Sequence, residues 1–107
     1  MTISNPAAVA RYHAALSAEN SVKRDYERRG YSVSGRRWRG PGGEIDLIAR
    51  LDDMLVFVEV KKSKSFASAA ERVSRRQMDR ICSSAAAYLE HEPAGQLTDV
   101  RFDVALV

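Results

Sequence analysis

The sequence predicts an α/β domain in the order helix, three strands, helix, strand. Three observations carry this. The chain opens on a long helical pattern. Two consecutive runs rich in Ile, Leu, Val and Phe are joined by little more than Asp52-Asp53. A second helical pattern then separates these runs from a last alternating segment.

The first helix is expected from Pro6 to about Arg29. Asn5 is a fitting cap, Pro6 suits the first turn, and Gly30 is the stop. Its apolar stripe is Tyr12, Leu16, Val22 and Tyr26. Glu19 lies three residues from both Leu16 and Val22, so an acid sits on the face that should be buried. Tyr31 to Trp38 reads as a first strand with imperfect alternation: Tyr31 and Val33 share one face and Trp38 takes the other. Gly40-Pro41-Gly42-Gly43 turns the chain.

Glu44 to Arg50 and Leu55 to Lys61 are the strongest strand signals, and a connection this short demands antiparallel pairing. Ser65 to Ser68 lead into the second helix, with Ser68 and Glu71 resembling a capping box. Its stripe is Val73, Ile81, Ala85 and Tyr88 or Leu89, with Gln77 inside it and Arg72, Arg76 and Arg80 forming a separate basic stripe. Glu92-Pro93-Ala94-Gly95 ends it. Val100 to Val107 is the final strand, which a helical crossover allows to lie parallel to another strand.

The 107 residues fit one domain, and 45% hydrophobic with 29% charged residues is the balance of a soluble globular protein. No apolar run approaches the roughly 20 residues of a membrane span, and no secretory signal is evident. With one cysteine, Cys82, an internal disulfide is excluded. The expected location is the cytoplasm, and the expected place of Cys82 is the packed face of its helix. His13 and His91 lack metal-ligand spacing and read as surface residues. Trp38 reads as a core residue, with base stacking as the alternative.

The net charge of +3 is distributed unevenly. One basic block holds Arg36, Arg37 and Arg39 at its end; the other holds Lys61, Lys62, Lys64, Arg72, Arg76 and Arg80. Two such blocks around an acidic middle suit a phosphate-binding rim.

The middle carries the chemistry. The short turn makes Leu51 oppose Met54, which sets Asp46 opposite Glu59 and Glu44 opposite Lys61. Opposed Cβ atoms lie about 4.5–5.5 Å apart, and facing carboxylates repel. A divalent cation removes that penalty. Magnesium commonly binds through one or two carboxylates, water and substrate phosphate, and a nearby lysine stabilises developing negative charge. On this register Asp46 shares a face with Ile48, Leu55, Phe57, Glu59 and Lys61, while Ile45, Leu47 and Ala49 share the other. Glu19 and Gln77, polar residues on inward helix faces, are expected to converge on the acids.

The runs Gly43-Glu44-Ile45-Asp46-Leu47-Ile48-Ala49, Val56-Phe57-Val58-Glu59-Val60-Lys61 and Arg101-Phe102-Asp103-Val104 resemble the bacterial YraN-like family of uncharacterised proteins. More broadly they are similar to the PD-(D/E)XK nuclease superfamily, including Holliday junction resolvases. The resemblance covers nearly the whole chain. It implies a restriction-endonuclease-like three-layer domain, a central four-stranded mixed sheet flanked by helices. It implies Asp46 and Glu59 as metal ligands, with the Val60 carbonyl completing the shell. Lys61 would be the catalytic lysine, Glu19 an accessory acid and Gln77 a polar helix residue of the site. Lys62-Ser63 and Ala67 depart from the pattern of many relatives and bear on substrate contacts.

The expected function is a magnesium-dependent endonuclease acting on DNA, with branched DNA as a candidate substrate and manganese as an alternative ion. A homodimer follows by analogy with resolvases. The alternatives are a non-catalytic nucleic-acid-binding module and a purely structural domain.

Overall fold

The computed structural model describes residues 6–61 and 75–107. Helix α1 (Pro6–Arg28) is followed by β1 (Ser32–Gly40), β2 (Gly43–Leu51) and β3 (Met54–Lys61). Helix α2 (Arg75–Leu89), a 3-10 turn (Gly95–Leu97) and β4 (Asp99–Leu106) complete the chain. The strands form one sheet in the order β1-β2-β3-β4. The first three are antiparallel, and β4 runs parallel to β3. This is the mixed four-stranded sheet of a restriction-endonuclease-like fold. No helix among the described residues is long and apolar enough to cross a membrane. The Asn5 cap, the Ser68–Glu71 box, Val73 and the basic residues Lys62, Lys64 and Arg72 lie outside the described residues, as does the side chain of Tyr12.

Helix α1 stops where Gly30 takes a φ of 94°. The amide of Gly30 donates to the Glu27 carbonyl at 3.1 Å and that of Tyr31 to the Tyr26 carbonyl at 3.0 Å, a paired closure that satisfies the last carbonyls of the helix. Val22 and Tyr26 then pack on Leu47, Ala49, Val56 and Val58. On the other face of the sheet, Ala85 and Leu89 of α2 cover Ile45, Ile48, Leu55 and Phe57. Each helix thus buries one stripe against one side of the central strands, giving three layers.

The β2–β3 register is the expected one, running from Leu51↔Met54 to Leu47↔Val58. Beyond that pair the β2–β3 ladder ends, so Asp46 and Glu59 are not paired with each other. Two expectations are corrected here: Ile45 packs on the α2 face, not with Leu47 and Ala49 on the α1 face, and Asp46 lies on the α1 side beside Ala18 and Glu19, not on the α2 face with Ile48, Leu55 and Phe57. The cause lies in the neighbouring strand. The β1–β2 pairing passes from Arg36↔Leu47 to Trp38↔Ile45 and skips Arg37 and Asp46, where Arg37 adopts a φ of 49°. The local rotation sends residues two apart to opposite faces. A bulge between Val33 and Gly35 makes the second irregularity of β1. Together these explain why Tyr31 and Val33 pack on the α1 side while Trp38 meets Tyr88 edge-on at 5.3 Å on the α2 side.

Cys82 is also corrected: it is exposed. The buried stripe of α2 runs through Ser84, Ala85 and Leu89, which turns Cys82 outward. The hydroxyl of Ser84, 1% exposed, accepts from the Gly42 amide at 3.0 Å and donates to the Gly43 carbonyl at 2.8 Å. This clamp brings the β1–β2 turn so close to α2 that a Cβ on Gly42 would lie 2.0 Å from the Arg80 carbonyl oxygen.

Candidate metal centre

The acids meet where β2 and β3 part. Asp46 Oδ2 accepts from the Val60 amide at 2.8 Å, so a side chain takes over where main-chain pairing has stopped. Lys61 Nζ lies 3.4 Å from Glu59 Oε1, and Gln77 Nε2 reaches the same oxygen from α2 at 3.5 Å. The Glu59 side chain is 17% exposed.

Burial is the main reason both acids hold their protons more tightly than ordinary carboxylates. Asp46 is pushed up by burial and by the charges of Glu19 and Glu44, against the Val60 amide and Lys61. Glu59 is pushed up by burial, then by Asp46 and Glu44, against Lys61. Asp46 thus adds to the cost of ionising Glu59, a cost that an added cation would offset.

Two clefts flank the pair, and Glu59 lines both. One, of about 360 Å³, is bounded by Ala14, Ala15, Ala18, Glu19, Asp46 and Val60. The other, of about 310 Å³, is bounded by Gly42, Gly43, Glu44, Gln77, Arg80 and Ile81. A larger cleft of about 630 Å³ lies between α1 and β4. Its acids are neutralised in place, Asp103 by Arg101 and Asp25 by Arg28 and Arg29, so it lacks the strained pair.

Among the described residues, no group of three or more His, Cys, Asp or Glu is disposed to hold a metal ion. The donor set nevertheless fits magnesium, which usually takes one or two carboxylates and fills the rest of its shell with water and phosphate oxygens. Asp46 and Glu59 would be the two.

Glu19 is 7% exposed and lines the Asp46 cleft, as its place in the helical stripe predicts. Arg37 Nε contacts both of its oxygens, at 3.2 and 3.0 Å. Arg36 donates to Asn20 Oδ1 at 2.7 Å. These two arginines of the expected rim are thus directed onto α1. Arg39 is largely exposed, 3.8 Å from Glu44, and Arg76 and Arg80 are exposed on α2. His13 and His91 are both exposed. Asp103 anchors Arg101 at 2.8 and 2.9 Å and accepts from Tyr26 Oη at 2.5 Å. Sequence reasoning missed the Ser84 clamp that docks the turn before β2. Its signal was present: Ser84 lies three residues after Ile81 and four before Tyr88, on the buried stripe.

Fold and site together define a restriction-endonuclease-like domain with an acid pair at the parting of its two central strands. The model of an uncharacterised protein family, UPF0102, matches residues 18–107, which takes in every residue of this centre. A UPF0102 protein of Ruegeria pomeroyi is 65% identical over 91 residues, 85% of this chain and 74% of the relative. One from Cereibacter sphaeroides is 60% identical over 96 residues, 90% of this chain and 82% of the relative. Another, from Dinoroseobacter shibae, is 47% identical over 91 residues, 85% and 68% of the two chains. The chain belongs to the UPF0102 family, which bears out the YraN-like resemblance.

Proposed function

We propose that this chain is a divalent-metal-dependent endonuclease that hydrolyses phosphodiester bonds in DNA, with branched or repair intermediates as substrates. The observation that carries this reading is the convergence of Asp46, Glu59 and Lys61 where β2 and β3 separate, with both acids pushed up by burial. Asp46 and Glu59 would hold the ion, magnesium or manganese, with the Val60 carbonyl as a further oxygen donor. When bound there, such an ion would supply acidification of a water molecule and neutralisation of charge on a phosphoryl oxygen.

The remaining work falls to the chain's own groups. The Val60 amide fixes one oxygen of Asp46. Gln77 and Lys61 approach the same oxygen of Glu59 and hold its orientation. The Lys61 ammonium is placed to orient an attacking water and to offset negative charge growing on the phosphate. Arg80, on the rim of the α2-side cleft, with Arg39 and Arg76, supplies exposed positive charge for the nucleic-acid backbone.

The test is cleavage of linear, nicked and branched DNA with magnesium or manganese, comparing wild type with Lys61→Ala. Wild type should cut and the variant should not. Equal background from both would end the enzyme reading.

A second reading is a non-catalytic nucleic-acid-binding module, for which the exposed arginines Arg39, Arg76 and Arg80 would suffice. It predicts DNA binding that weakens steeply with salt but no cleavage by wild type.

A further inference from the structure

Arg37 belongs by charge pattern to the phosphate-binding rim, yet its backbone and side chain are turned to another task. Its φ of 49° lies in the left-handed region that residues with a Cβ avoid. Such conformations persist where the surroundings impose them. Here they coincide with the skipped Arg37–Asp46 position of the β1–β2 ladder. The side chain sets Nε 3.0 and 3.2 Å from the two oxygens of Glu19. Arg36 adds positive charge 3.9 Å from Glu19 Oε2.

We infer that Arg37 is the built-in counter-ion of Glu19 and keeps that carboxylate out of the metal shell, so that the centre takes one divalent ion on Asp46 and Glu59. The inference rests on the metal reading above. A carboxylate with so little exposure needs a charged partner, and Arg37 supplies it to both oxygens. For Glu19 to bind a cation it must give up the guanidinium, leaving an arginine charge beside the incoming ion. Glu19 still lines the Asp46 cleft and still acts on Asp46 through space. A third carboxylate is therefore held close to the centre but already neutralised.

Manganese binding by the full chain, measured by calorimetry without DNA, tests this. Wild type should bind one ion. Arg37→Asn, chosen because asparagine tolerates the left-handed backbone, releases Glu19 and should bind manganese roughly ten-fold more tightly or better. The double variant Glu19→Gln/Arg37→Asn removes both members of the ion pair together, so neither charge is left without its partner. It should return to within about three-fold of wild type. Unchanged or weaker binding by Arg37→Asn overturns the inference. So does a ten-fold loss in the double variant, which would make Glu19 a ligand. If the single variant does not fold, the double variant decides alone. Wild type binding no better than Asp46→Asn would instead remove the metal reading itself.

Discussion

The amide of Val60 donates to Asp46 Oδ2 at 2.8 Å, one residue beyond Leu47 and two beyond Val58, the last main-chain pair of β2 and β3. The strand that carries Glu59 is thereby tied to the strand that carries Asp46 through an acid whose ionisation burial opposes and the Val60 amide favours.

This has a sign that can be checked. Asp46 and Glu59 are raised above their ordinary values of 3.8 and 4.5. The folded chain binds their protons more tightly than the unfolded chain. The stability they confer is full below those ordinary values and is lost as pH rises through the higher folded ones. At neutral pH in the absence of metal they are a liability. Asp46→Asn, which keeps an oxygen for the Val60 amide, should raise Tm at pH 7 by a few degrees. The gain should shrink as pH falls towards 4. Magnesium or manganese should raise the Tm of wild type and leave that of the variant nearly unchanged. A variant that melts below wild type at pH 7 would contradict this.

Tyr26 gives the opposite end of the pH scale. It is 3% exposed, and its hydroxyl donates to Asp103. Burial, with Asp103 beside it, pushes its pKa up from 10.0 to about 12. Its contribution is complete below pH 10 and is lost as pH rises through about 12. For Asp103, burial opposes ionisation, but Arg101 and Tyr26 outweigh it and hold the carboxyl low. That contribution is lost only as pH falls through the depressed value. Tyr26→Phe should cost about 1.5–3 kcal/mol, the range for a hydrogen bond to a charged group. The variant should also lose the decline of stability between pH 10 and 12, read by urea unfolding at each pH.

The docked turn before β2 makes a third prediction. Ser84→Ala leaves the Gly42 amide and Gly43 carbonyl without their partner and should cost about 1–3 kcal/mol in denaturant unfolding. Ser83→Ala, one residue away and exposed, should stay within about 0.5 kcal/mol of wild type. Gly42→Ala puts a methyl group 2.0 Å from the Arg80 carbonyl oxygen and should be the most damaging of the three. A Ser84→Ala protein as stable as Ser83→Ala would mean that the clamp does not hold the turn.

Much of this was legible in the residues. A two-residue turn set the β2–β3 register as far as Leu47↔Val58, and just beyond it Asp46 and Glu59 line one cleft. The stripe of α1 marked Glu19 as inward, and that of α2 marked Gln77. The local rotation at Arg37 and Asp46 was not legible, because a left-handed arginine carries no signal in its side-chain type and strict alternation assigns Ile45 to the wrong face. The destinations of Arg36 and Arg37 were hidden for a related reason. Charge pattern shows that arginines cluster, but not that buried Glu19 and nearby Asn20 engage them.

The turn at Asp52-Asp53 also bears on how the chain acquires its shape. It joins the strands that carry the acids through their nearest possible connection. Contacts this local form on a microsecond scale, whereas the parallel strand β4 must wait for the α2 crossover to close. The acid pair is therefore expected early in folding, with Gln77 and β4 joining late. Substitutions such as Leu47→Ala should slow folding, and Phe102→Ala should chiefly speed unfolding.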